Sequence, residues 1–354
     1  MMRSVAIRLA LAACIAMAVE NAEAQEGASS KPPGVPLVPG VFIERNVKYG
    51  QVDAGQASAG QGGAGQASAG ARALVLDVLR PADPASSELP VVVFIHGGGW
   101  RQGDKSGGSR MLEPLVATGN YVGISVGYRL SKEATFPAQI HDCKGAIRWI
   151  RANAQRLGAD SRKIGVWGSS AGGHLASLVG TSGDVKSLEG DCGNPEMSSR
   201  VACVVDFCGP SDFLALIKFQ RNGPPAPRNA DSPESQLLGG RIADRQELAM
   251  DASPVTYATR DDPPFLIVHG TADPLVPFNQ AERLYASLAT VGARPTMLRI
   301  ERGGHSIGGE EVLARVQAFF DRHLRDQRVN ITDATIAAPK SSSPKQGSPG
   351  QPQK

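Results

Sequence analysis

Between residues 91 and 270 the chain repeats one rhythm of hydropathy, a short apolar run followed by a longer stretch of mixed character. The runs "VVVFI", "YVGISV", "IGVWG", "VACVVDF" and "FLIVHG" are continuous, the mark of strands covered on both faces. Within 138–154, Ile140, Cys143, Ile147, Ile150 and Ala154 recur at steps of three and four residues, forming the apolar stripe of an amphipathic helix. Strand and helix in alternation predict an α/β architecture: a mostly parallel central sheet with helices on both faces.

Upstream the period changes. "VFIERNVKYG" and "ARALVLDVLRP" alternate apolar and polar residues, as half-buried antiparallel strands do. Between them "GQASAG" occurs at 55–60 and again at 65–70. Two copies of a few small polar residues cannot bury a core, so this is no solenoid repeat; residues 53–72 are expected to be a low-complexity insertion in a hairpin. Two further segments, 181–200 and 209–263, break the rhythm with Gly, Pro, Ser and Asp. They are expected above one end of the sheet as a small cap. A last helix is expected at about 309–325.

The ends of the chain read differently from its middle. "MMRSVAIR" is basic, "LALAACIAMAV" is apolar, and Ala22-Glu23-Ala24 has the small-x-small pattern of a cleavage site. Residues 1–24 therefore read as a signal peptide, which implies export to the periplasm or the outside. The apolar run is shorter than the roughly 20 residues of a membrane span, so no stable span is expected. An alternative takes Leu11-Ala12-Ala13-Cys14 as a lipoprotein box with a lipid anchor on Cys14; Arg8 just before it, and an apolar run lying mostly after it, speak against this. Residues 25–40, with "KPPGVPLVPG", are expected to form a Pro-rich linker. The tail 326–354, ending "SSSPKQGSPGQPQK", is expected to be disordered.

Composition sets bounds without naming a function. With 354 residues, 41% of them hydrophobic, the chain can bury one large core or two modest ones. Its 37 Lys and Arg are nearly balanced by 34 Asp and Glu and are spread along the chain, so no nucleic-acid partner is expected. Export would place Cys143, Cys192, Cys203 and Cys208 where disulfides persist. Cys203 and Cys208 share one strand-like run, five residues or roughly 16 Å apart, beyond the reach of a bridge. A bridge, if formed, pairs Cys192 with one of them; the alternative is four buried thiols acting as small hydrophobes. No pair has zinc-ligand spacing, and no metal is expected.

The chemistry concentrates in "GVWGSSAGGHLASLVG", residues 165–180. Gly168-Ser169-Ser170-Ala171-Gly172 is a G-x-S-x-G pentad between a buried strand and a helix, the nucleophile elbow of an α/β-hydrolase. Ser170 is its central residue and Ser169 a spectator. A serine hydroxyl needs a histidine to take its proton and a carboxylate to fix that histidine's tautomer. This fold supplies them later in the chain, acid before histidine. Asp273 follows the strand in "PPFLIVHGTADPLVP", and His305 lies in the glycine-rich loop of "TMLRIERGGHSIGG". In "VVVFIHGGGW" the glycines leave backbone N–H groups open to an oxyanion. Gly98, Gly99 and Ala171 are the expected donors. A phosphate loop is excluded because the glycines lack a G-K-[ST] ending.

The remaining candidates have plainer readings. His96 is expected to hydrogen-bond its own loop and His174 to pack or bond beneath the site. His141 and His269 read as scaffold, and His323 as a surface residue of the last helix. Asp206 or Asp212 could replace Asp273 as the orienting acid. Asn330-Ile331-Thr332 matches a glycosylation sequon, expected to be inert given the bacterial style of the signal.

On these residues the chain resembles α/β-hydrolase esterases of the hormone-sensitive-lipase and acetyl-esterase type. "HGGGWRQGDKSG", "FPAQIHDCKGAIRWIRANA", "IGVWGSSAGGHLASLVG" and "HGTADPLVPF" resemble most the bifunctional feruloyl and acetyl xylan esterases. The likeness covers roughly 41–325, the expected catalytic domain. It implies hydrolysis of acetyl or feruloyl esters linked to carbohydrate, through an acyl-enzyme and without a cofactor. The "GQASAG" insertion and the tail depart from the family pattern. Runners-up within the fold are a lipase and a peptidase; the propeller that screens peptides in prolyl oligopeptidases is absent. A catalytically silent binding module is the alternative from another class, and the intact Ser170, Asp273 and His305 set speaks against it.

Overall fold

The structure, a computed structural model, describes residues 35–53, 71–183, 185–217 and 231–338. The expected signal peptide, most of the expected linker and insertion, and the last part of the tail lie outside them.

The strands are β1 (Val35–Val38), β2 (Val41–Asp53), β3 (Ala71–Pro81), β4 (Leu89–Ile95), β5 (Val122–Val126), β6 (Ala159–Ser169), β7 (Cys203–Phe207), β8 (Phe265–Gly270), β9 (Pro295–Glu301) and β10 (Ala334–Ala337). They form one sheet in the order β1-β2-β3-β5-β4-β6-β7-β8-β9-β10. From β5 across to β10 every neighbouring pair is parallel, and β1, β2 and β3 add an antiparallel flank. Asp53 and Ala71 face each other in register at the loop end of the β2–β3 hairpin.

The continuous apolar runs are strands with two buried faces. Along β4, Val91, Val93 and Ile95 enter one core while Val92 and Phe94 enter the other. Along β8, Phe265 and Ile267 oppose Leu266 and Val268 in the same way. Each such side chain contributes about 1.5–3 kcal/mol on leaving water.

Helices α1 (Lys105–Val116), α2 (Ala138–Ala152), α3 (Ala154–Leu157) and α4 (Ala171–Thr181) precede the short α5 (Pro233–Leu238) and α6 (Gln246–Asp251); α7 (Asn279–Thr290) and α8 (Glu310–Leu324) follow. Ile140, Ile147 and Ile150 of α2 and Leu175 and Val179 of α4 line the first core. Leu112 and Val116 of α1 and Val312, Val316 and Phe320 of α8 line the second.

Two boundaries differ from the sequence reading. The end of the expected 25–40 linker is strand β1, whose Val38 pairs with Val41. The expected 326–354 tail contains β10, paired in parallel with β9 through Ala334 and Leu298. Asp333 fixes that register: its Oδ1 accepts from Met297 N at 2.8 Å and its Oδ2 from the Tyr285 hydroxyl at 2.8 Å. The described part of 181–200 lies beside the start of α2, where His141 Nε2 meets Ser187 O at 2.9 Å. Glu189 ties it to α2, accepting from Lys144 Nζ at 2.7 Å and Arg148 NH1 at 2.8 Å. Both cations are buried and need that carboxylate. Among the described residues Cys143, Cys192, Cys203 and Cys208 are free and buried, so for these four the alternative without a bridge holds.

Candidate active site

Three loops after parallel strands bring the expected residues together at one end of the sheet. β6 ends at Ser169 and α4 begins at Ala171, leaving Ser170 alone in the corner with φ +57° and ψ −122°. The corner is tight because neighbouring backbones almost touch. A Cβ on Gly168 would lie 2.0 Å from Gly172 O, and one on Gly172 2.0 Å from Ile95 O. Ser170 N donates to Phe207 O at 2.6 Å, which pins the corner to the next strand.

Asp273 follows β8 and His305 follows β9. The two loops are laced together, with Ala272 N donating to Gly303 O at 2.9 Å and Arg302 N to Thr271 Oγ1 at 2.9 Å. The result is a continuous chain of side chains: Ser170 Oγ lies 2.8 Å from His305 Nε2, and His305 Nδ1 lies 2.7 Å from Asp273 Oδ2. Asp273 Oδ1 accepts from Leu275 N at 2.8 Å and Val276 N at 3.0 Å. Burial pushes the Asp273 pKa up, but hydrogen bonds from His269, His305 and the Val276 N–H outweigh it. The carboxyl is held well below the usual range and stays ionised.

The rival acids are committed elsewhere. Asp206 accepts from Gly209 N at 2.9 Å and from the Ser177 hydroxyl at 3.0 Å; Asp212 binds Arg283 at 3.0 Å.

The glycine run curls over the serine. Gly98 and Gly99 have φ of +112° and +59°, a conformation open to glycine, and a Cβ on Gly98 would meet Gln102 O at 2.1 Å. Among the described residues no backbone acceptor takes the N–H of Gly98, Gly99 or Ala171. The loops enclose a cleft of about 540 Å³ that holds Ser170 and His305. Phe94, Met111, Phe207, Leu275 and Ile307 supply apolar wall, and Arg101 a charge at the rim. From the expected cap, Pro233 reaches the wall.

The other histidines sort by partner. His96 Nδ1 lies 2.8 Å from Gly97 O while its ring stacks on Tyr128 at 4.3 Å. His141 meets Ser187 O at 2.9 Å. His174 bonds Trp100 and Ala252 beneath the site. His323, expected on the surface, is half-buried with its ring 4.6 Å from Phe319. His269, expected as scaffold, stands beside the acid: its Nε2 is 3.0 Å from Val276 O and 3.3 Å from Asp273 Oδ2. The spacing of four residues between His269 and Asp273 was the available signal. Cys208, Asp273 and His305 offer ligand atoms within 4.8 Å of one another, but Asp273 Oδ2 and His305 Nδ1 are already spent on each other.

An ionised carboxylate, a histidine and a serine hydroxyl in sequence, beside unbonded N–H groups, on a mostly parallel sheet define an α/β-hydrolase with a serine nucleophile. Comparison with known proteins sharpens the class. The BD-FAE family model matches residues 76–288, and the chain belongs to that family. It is 34% identical over 236 residues to the esterase LipC of Mycobacterium tuberculosis, covering 66% of this chain and 57% of the relative. Across the first curated relatives the chain spans between half and three fifths of their length. Among solved structures, a truncated carbohydrate esterase from gut microbiota superposes with a TM-score of 0.69 at 28% identity, covering 82% of this chain and 99% of that one. A bifunctional GH43-CE protein of Bacteroides eggerthii gives 0.65 at 34% identity, over 71% of this chain and 33% of that one.

Proposed function

We propose that this protein is an exported serine esterase that removes short acyl or feruloyl groups from carbohydrate through an acyl-enzyme. The observation that carries the reading is the hydrogen-bonded chain from Asp273 through His305 to Ser170, opening into a cleft of modest size.

In the first half of the reaction Ser170 Oγ attacks the ester carbonyl as His305 Nε2 takes the hydroxyl proton. Asp273 holds the Nδ1–H tautomer and stabilises the imidazolium. Charge developing on the carbonyl oxygen is met by the N–H groups of Gly98, Gly99 and Ala171, each such donor being worth about 10²–10³ in turnover. The tetrahedral adduct collapses, His305 protonates the leaving alkoxide, and the acyl group stays on Ser170. Water, deprotonated by His305, reverses these steps and releases the acid. Every step uses this chain's own groups.

The alcohol side is assigned to carbohydrate on the family match, the carbohydrate-esterase neighbours and the xylan-esterase likeness of the motifs. Export rests on the basic, apolar and small-x-small order of residues 1–24. The test is acid release from a panel: acetylated xylan, methyl ferulate, nitrophenyl esters of increasing chain length, and aminoacyl anilides. Acetate or ferulate release from the sugar and cinnamate substrates is expected. Activity that climbs with chain length and rises on emulsions would move the protein to the lipases; cleavage of the anilides alone would make it a peptidase.

A further inference from the structure

We propose that His174 is a positioning residue: by accepting a hydrogen bond from the Trp100 indole it locks the oxyanion loop to the nucleophile helix. The inference rests on the serine-esterase reading and adds a residue to it.

The loop needs such a lock because of its backbone. Gly98, Gly99 and Trp100 follow one another at φ +112°, +59° and +56°. Glycine adopts this region freely, whereas a bulky L residue enters it only when its surroundings hold it there. Trp100 is held from two directions. Its carbonyl accepts from Ser131 N at 2.7 Å, and its Nε1–H donates to His174 Nδ1 at 3.1 Å. The indole is 1% exposed and meets the imidazole edge-on at 5.2 Å, with Phe213 closing the cluster 5.0 Å from His174.

His174 belongs to the other half of the site. It lies in the first turn of α4, where its N–H donates to Ser170 O at 3.0 Å, and its Nε2 donates to Ala252 O at 2.7 Å. These partners dictate the tautomer: an indole N–H can only donate and a carbonyl can only accept, so Nδ1 is bare and Nε2 carries the proton. Complete burial acts in the same direction, pushing the imidazole down to about 4 and keeping it neutral. One bond thus joins the loop bearing the Gly98 and Gly99 N–H groups to the helix that follows Ser170 and bears the Ala171 N–H. If it is lost, two donors and the nucleophile are no longer held in a fixed relation.

The two nitrogens of the ring can be tested separately. His174→Asn places an amide oxygen near the position of Nδ1, which keeps an acceptor for Trp100 and abandons Ala252. His174→Gln reaches Ala252 with its amide nitrogen and leaves the indole without an acceptor. Turnover of nitrophenyl acetate should stay close to wild type in His174→Asn and fall by roughly 10–100-fold in His174→Gln, with KM little changed, as for misplaced oxyanion donors. Trp100→Phe should fall as His174→Gln does, and combining the two should cost little more than the worse single change. The Trp100 indole proton resonance in tryptophan-labelled protein, read with the thermal midpoint, reports the bond apart from activity. Retained turnover in His174→Gln with the indole bond lost would overturn the proposal. So would losses in all variants that merely follow the fraction unfolded. Wild-type protein inert toward every ester would instead remove the esterase reading, and the role of the anchor with it.

Discussion

Ser170 sits at φ +57°, a backbone conformation that is costly for an L residue and persists where the surroundings compel it. Here Gly168 and Gly172 let the chain fold back on itself, and the hydroxyl is left facing His305 at 2.8 Å. Ser170→Ala should abolish ester turnover while the thermal midpoint stays near wild type, because one hydroxyl is lost from a cleft wall. Ser169→Ala should keep much of its activity. Steady-state assays with thermal scans decide this, and a dead Ser169 variant beside a live Ser170 variant would reverse the assignment. Asp273→Asn and His305→Ala should each lower kcat by several orders of magnitude. The double variant should be scarcely worse than the poorer single one, since such residues act as a unit. These residues were legible in the sequence because a strained serine corner requires glycines at fixed spacing. His269 beside Asp273 and the pairing of Trp100 with His174 were not, since they depend on contacts between distant loops.

Among the elements, β7 carries a buried acid in its second-to-last position. Burial raises Asp206 to about 6, against opposing help from His269, Ser177 and the Gly209 N–H. The unfolded chain ionises near the ordinary value of about 3.9, so between roughly pH 4 and 6 unfolding releases protons and stability falls as pH rises. Asp206→Asn removes this penalty. Its stability relative to wild type should be higher at pH 8 than at pH 4 by up to about 2–3 kcal/mol, as denaturant titrations at both pH values would reveal; an equal difference at both would refute the shift. A second element-level test concerns the segment after α4. If Glu189 braces buried Lys144 and Arg148, Glu189→Gln should cost about 3 kcal/mol of stability while the folded fraction keeps its turnover. Loss of turnover without loss of stability would give that segment a part in the site instead of a bracing role. The buried strands were readable from their apolar runs. β1 and β10 were hidden because each has only four residues, too few for a period to show, and both depend on pairing with a neighbour already in the sheet.

For the whole molecule, the parallel sheet delivers the loops after β4, β6, β8 and β9 to one end, where open α/β sheets place their ligands. That geometry made the site foreseeable once strands and motifs were ordered along the chain. The substrate walls were not, because Met111 of α1 meets Leu275 and Ile307 of two separate loops only in the fold. On the short-acyl reading proposed above, kcat/KM should fall from acetyl and butyryl to palmitoyl nitrophenyl esters. A steady rise along that series would contradict the carbohydrate-ester assignment. The most direct test of the central claim is intact and peptide mass spectrometry of protein quenched during turnover of an acetyl ester. The account predicts a gain of one acetyl group on the peptide carrying Ser170, absent in Ser170→Ala. Turnover with no covalent intermediate trapped, and undiminished in Ser170→Ala, would contradict it.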